Sequence, residues 1–164
     1  MAIKFFCDIN VARLCKWIRF IGFDAVIRQE LSKIQIQNLC IKDRRILLTR
    51  NKKLKSLKCS KVIINNEDYL KQLNELFPNF PINFDLIANR CIECNRLLTK
   101  IDYDTLQKIL CSSPQLVENI PKEFHNDLSY CPRCGKFYWK GSHYQNMLKV
   151  IQNLQTHKDD IIQN

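Results

Sequence analysis

Glycine is almost missing from this sequence, with three residues in 164. Beside heavy use of Ile, Asn and Lys, that scarcity points to an AT-rich coding genome, and so toward a plastid-encoded protein or an AT-rich microbe. No apolar run approaches the roughly 18 residues that a membrane-spanning helix needs, which excludes a helical membrane protein. No charged-then-apolar leader precedes Ile3-Lys4-Phe5-Phe6, which argues against secretion. A reducing compartment is therefore expected, cytoplasm or organelle stroma, where an odd set of nine cysteines need not pair. Neither an internal repeat nor a low-complexity tract is present. Acid is in short supply as well: 16 acidic against 26 basic residues leave a formal charge of +10. Such an excess makes nucleic acid the expected partner.

What is present is globular. A chain of 164 residues with 46% hydrophobic and 26% charged content holds one ordinary domain or two small ones. Lys4-Phe5-Phe6-Cys7 reads as a strand ending at Asp8. Val11, Leu14, Cys15, Ile18 and Ile21 recur at helical spacing over Asn10 to Ile21, and Gly22 closes that helix. Ala25-Val26-Ile27 is a second strand. Ser32 caps a helix running to about Lys42, Ile46-Leu47-Leu48-Thr49 is a strand buried on both faces, and Val62-Ile63-Ile64 is a fourth. Tyr69 to Phe77 is helical. Strands alternating with helices predict an α/β fold, a small parallel sheet flanked by helices. The break at Pro78-Asn79-Phe80-Pro81 divides the expectation into a domain at 1–80, a metal-stapled module at 81–155 and a polar tail at 156–164.

The module rests on two C-x-x-C pairs, Cys91/Cys94 and Cys131/Cys134. Zn²⁺ takes four tetrahedral ligands and thiolates suit it well, so two such pairs predict a closed, structural zinc site. Gly135 follows the last cysteine, where a left-handed turn residue is needed.

In open parallel sheets the working crevice lies at the carboxyl ends of the strands. Asp8 follows the first strand, Thr49-Arg50-Asn51 the third and Asn65-Asn66-Glu67-Asp68 the fourth, with Asp24 near the end of the first αβ unit. Carboxylates gathered there would hold Mg²⁺ or Mn²⁺ for phosphodiester cleavage.

Several segments together resemble the Mut7-C RNase domain family. Phe5-Phe6-Cys7-Asp8 and Arg13-Leu14-Cys15-Lys16-Trp17-Ile18-Arg19-Phe20-Ile21-Gly22-Phe23-Asp24 are similar to its F-x-x-D and L-A-R-W-L-R-x-x-G-x-D opening. Arg45 to Asn51 resembles its R-I-L-L-T-R-D segment. The two knuckles and Tyr138-Trp139-Lys140-Gly141-Ser142-His143 resemble its zinc ribbon and Y-W-x-G-S-H signature. The resemblance runs from about Lys4 to Met147. It implies a PIN-like nuclease fold with an appended zinc ribbon, acting on RNA through acids at the strand ends, Asp8 and Asp24. The family's acid after T-R is Asn51 here, an oxygen ligand without charge. That departure leaves two functions, a divalent-metal-dependent ribonuclease or a catalytically weakened RNA-binding protein, the latter compatible with association in a ribonucleoprotein. The expected RNA contacts are Arg13, Lys16 and Arg19 on the first helix, Arg50 after the third strand, Trp139 for base stacking, and Ser142 and His143 where the last helix begins.

Overall fold

The computed structural model describes residues 2–162, with side chains described as far as residue 154. It divides into two compact units, Met1–Asn95 and Arg96–Asn164. The break at Pro78 does not end the first unit. Phe80 packs edge-on against the core residue Phe5, ring centroids 5.2 Å apart, so the chain remains part of that unit beyond the expected boundary at 80.

The first unit is an α/β layer. Strands β1 (Lys4–Cys7), β2 (Asp24–Ile27), β3 (Ile46–Thr49) and β4 (Lys61–Ile63) form one sheet in the order β2-β1-β3-β4, every pairing parallel. Helices α1 (Ala12–Phe20), α2 (Lys33–Lys42) and α3 (Tyr69–Leu76) flank it. Alternation along β1 feeds two cores. Phe6 joins Ile36, Cys40, Leu47, Leu54 and Leu57 on the α2 side. Phe5 meets Phe23 and Phe80 edge-on instead. Ser32 caps α2 through a reciprocal capping box with Gln35, which explains the clean start of that helix. Gly22, at φ +106°, cannot be replaced cheaply: an added Cβ would lie 2.4 Å from the Leu86 carbonyl oxygen.

Register decides what can meet what. Lys4 lies opposite Asp24 and Phe5 opposite Ile46, so Asp24 and Arg45 belong to the edge where the strands begin. Cys7 lies opposite Leu48 and Thr49 opposite Ile63, so Asp8, Arg50 and Asn51 belong to the edge where they end.

The second unit holds a three-stranded antiparallel sheet, β5 (Thr99–Lys100), β6 (Ser129–Tyr130) and β7 (Phe137–Tyr138), in the order β5-β6-β7. Its helices are α4 (Tyr103–Ser112) and α5 (Ser142–Ile162). Between β5 and β6 the chain builds a core of Leu106, Val117, Ile120 and Leu128. This ribbon therefore has apolar stabilisation of its own beside any metal. The expected tail at 156–164 coincides with α5 as far as Ile162, and residues 163–164 lie outside the described ones. Among the described residues no helix is long and apolar enough to cross a membrane.

Candidate functional site

At the edge where the strands end, Asp8 leaves β1 with its backbone N–H bonded to the Leu48 carbonyl at 2.9 Å. Its carboxylate accepts from Ile9 N–H at 2.7 Å, from the Asn10 amide at 2.9 Å and from the Thr49 hydroxyl at 2.6 Å. Thr49 Oγ1 in turn accepts from the Asn51 backbone N–H at 3.0 Å. Asn51 caps the short turn after β3, its side-chain oxygen accepting from Lys53 N–H at 3.0 Å. Asp8, Thr49 and Asn51 thus form one hydrogen-bonded chain, with every donor to Asp8 neutral. Lys52 and Lys53 are exposed beside it. Arg50 is bound in place: its N–H donates to Asn10 Oδ1 at 3.0 Å, and its guanidinium pairs with Glu67.

The same region carries a small groove of about 160 Å³ that includes Asn10, Arg13, Glu67, Asp68 and Tyr69. Arg13 lies over the Tyr69 ring, 3.6 Å from its centroid, and buried Trp17 stacks on the same tyrosine at 5.7 Å. Asp68 is spent on the cap of α3, accepting from Leu70 and Lys71 N–H.

Asp24 is not brought to Asp8. It opens β2 at the opposite edge, where Arg45 grips it with two nitrogens, at 2.7 and 3.2 Å, and the Asn95 amide donates to it at 2.8 Å. Burial opposes its ionisation, but these hydrogen bonds and the charges of Arg45 and Arg90 prevail and hold its pKa below the usual carboxylate range. Its partners are those of a structural ion pair.

Arg19 corrects the expectation for α1. It is 5% exposed, and its guanidinium donates to the carbonyls of Ala25 at 2.8 Å, Ile92 at 2.8 Å and Glu93 at 2.7 Å. Its role is to hold the Cys91–Cys94 turn, since three carbonyls engage its Nε and Nη1 donors away from solvent. Lys16 and Arg13 remain exposed on α1, Lys16 paired with Glu93 at 3.0 Å. Trp139 is also a packing residue. It lies against the core of the second unit, and its indole fills the space where Gly141 lacks a side chain, leaving 2.7 Å to a hypothetical Cβ. Ser142 and His143 are exposed in the first turn of α5.

The two knuckles share one turn. Asn95 N–H bonds to the Cys91 carbonyl at 2.9 Å, and Gly135 N–H to the Cys131 carbonyl at 3.0 Å. Both turn residues are left-handed, Asn95 at φ +70° and Gly135 at φ +69°. Asparagine tolerates that conformation better than other side chains. Asn95 then uses its side chain twice, donating to Asp24 and accepting from Ala25 N–H at 3.0 Å. Spacing alone pointed to neither Asn95 nor Arg45; the signal was C-x-x-C-N standing where the other knuckle has C-x-x-C-G.

The sulfurs of Cys91, Cys94, Cys131 and Cys134 lie within 4.8 Å of one another. A tetrahedron with Zn–S bonds of about 2.3 Å has edges near ~3.8 Å, so a small contraction seats the ion. Four thiol ligands and no open position fit a structural metal such as zinc. For Mg²⁺ or Mn²⁺ the fit is different. Asp8 belongs to no set of three acidic, histidine or cysteine side chains close enough for one ion among the described residues. One carboxylate with the neutral oxygens of Thr49 and Asn51 suits an ion shared with substrate phosphates, not a dedicated protein cage.

No curated protein matches this chain. Residues 3–151 match the family model of the Mut7-C RNAse domain, a span that includes both edges of the parallel sheet and all four knuckle cysteines. The chain belongs to the Mut7-C RNAse domain family.

Proposed function

We propose that this protein is an RNA-processing ribonuclease whose hydrolytic edge is centred on Asp8. The observation that carries the reading is the chain Asp8–Thr49–Asn51, gathered where the strands end and flanked by exposed Lys52 and Lys53. The lysines, with Arg13, would hold the phosphates that flank the scissile one, with affinity falling as salt rises. Asp8 would hold a divalent ion together with the RNA phosphate and orient the attacking water. A bound Mg²⁺ or Mn²⁺ would polarise the phosphoryl oxygen and lower the pKa of that water. Thr49 fixes the Asp8 carboxylate from beneath, and Asn51 supplies a neutral oxygen at the same edge.

A second reading, RNA binding with weakened cleavage, is favoured by two observations. Asn51 brings no charge, and Asp24 is committed to Arg45 at the other edge. The test is Mn²⁺ titration with a pool of single-stranded and structured RNA, comparing the natural protein with Asn51→Asp. Cleavage by both, faster in the variant because the added carboxylate strengthens divalent-ion binding, is the expected result. Cleavage only by the variant would establish the second reading. No cleavage by either, with RNA retained, would overturn hydrolysis as the function.

A further inference from the structure

The edge where the strands begin carries a groove unrelated to Asp8. Its volume is about 680 Å³, and Cys40, Arg44, Arg45, Lys58, Cys59 and Lys61 are among its lining residues. This is the size range of small-molecule sites. Four of its side chains are cationic, and no carboxylate lines it. Asp24 and Asp43 reach Arg45 from outside the groove, at 2.7 and 3.6 Å, and offset that one charge. The C-terminus of α2 contributes about half a negative charge nearby. A positive excess still remains from Lys58 and Lys61.

Two details make this more than a solvated basic surface. Arg45 Nε is buried and lacks a hydrogen-bond partner, because 3.6 Å to Asp43 is too long for one. A buried unsatisfied donor on a charged group is costly and calls for an explanation. Arg44 sits at φ +50°, just after α2, where glycine or asparagine is usual. A lining arginine thus occupies a backbone conformation that a non-glycine residue adopts at some cost. Lys61 is preorganised as well, its ammonium donating to the Leu57 carbonyl at 2.6 Å and the Cys59 carbonyl at 3.3 Å. A primary ammonium has three donors, so one is left. Cys40, Leu57 and Ile46 supply an apolar wall.

We propose that this groove binds a nucleotide, its phosphate held by Lys58, Lys61 and Arg44 and its base resting on the apolar wall. The nucleotide is either one residue of an RNA strand or a free mononucleotide. The groove lies at the other end of the strands from Asp8, about 10 Å away along β3, and its occupancy is independent of cleavage.

Cys59 is the reporter, because it lines the groove and is half-buried. Alkylation of Cys59 is followed by peptide mass spectrometry in the full chain, with 5′-AMP, a short single-stranded oligoribonucleotide, or inorganic phosphate. Exposed Cys111 serves as internal reference. A nucleotide at twice its dissociation constant should slow Cys59 alkylation about threefold and leave Cys111 unchanged. Protection by 5′-AMP identifies a free nucleotide; protection by the oligonucleotide alone identifies a strand residue. Lys58→Glu, a change on an exposed side chain, should remove the protection, and Asp8→Asn should not. The proposal is overturned if none of the three probes protects Cys59, if phosphate protects as well as either nucleotide, or if protection survives Lys58→Glu.

Discussion

The two edges of the parallel sheet each present an aspartate, and the aspartates live differently. Asp24 is enclosed by Arg45, Asn95 and the charge of Arg90, and its pKa is held down by them. Asp8 accepts only from neutral groups, and its charge is not cancelled by any ion pair among the described residues. An ion pair stabilises one geometry and removes the carboxylate from chemistry. A carboxylate oriented by a hydroxyl and an amide keeps its charge for a cation or a proton. On the proposed function, the difference separates a residue that holds the fold from one left to act on a substrate, although both lie in segments that resemble the family's opening motif.

The largest expected effect tests the structural edge. Asp24→Ala leaves Arg45, whose side chain is 11% exposed, without its main counter-ion. Breaking a fully buried pair costs about 3–5 kcal/mol; Asp24 keeps some exposure, so about 2–3 kcal/mol is expected from urea unfolding of the full chain. An unchanged midpoint would show that the pair does no structural work.

Next comes the knuckle. Asn95→Ala removes two side-chain hydrogen bonds and strains a left-handed position, for a loss of about 2 kcal/mol. Asn95→Gly keeps the backbone conformation and should lose about half as much. Equal losses in both variants would mean that the two side-chain hydrogen bonds, to Asp24 and from Ala25 N–H, contribute all of the effect.

The smallest effect is in pH. The native pKa of Asp24 lies below its ordinary value, so its contribution is fully present above about pH 4 and fades as pH falls through the lower native value. Acid unfolding of the natural protein should therefore be steeper than that of Asp24→Ala below about pH 4. Parallel acid limbs would contradict the assignment.

The sheet was legible because Phe5-Phe6-Cys7 and Ile46-Leu47-Leu48 are continuous apolar runs, and α2 because Ser32 and Gln35 form its capping box. The family and the four metal-type cysteines were legible from ordered motifs. The site was only half legible. In a parallel sheet, an acid that precedes its strand and an acid that follows its strand lie at opposite edges; Asp24 precedes β2, and grouping it with Asp8 overlooked that polarity. Arg19 fell outside the apolar stripe of α1 and so read as surface. Its burial depends on carbonyls at Ile92 and Glu93, more than seventy residues on, which no local pattern reveals.

The most direct test sets Asp8→Asn beside Asp24→Asn, measuring Mn²⁺-dependent RNA cleavage and urea stability in the same preparations. The account predicts that Asp8→Asn loses cleavage by at least ~10²-fold with its unfolding midpoint nearly unchanged. Asp24→Asn should lose stability while its folded fraction still cleaves RNA. An Asp24→Asn protein that is stable and inactive, beside an Asp8→Asn protein that still cleaves, would contradict the assignment of the two edges.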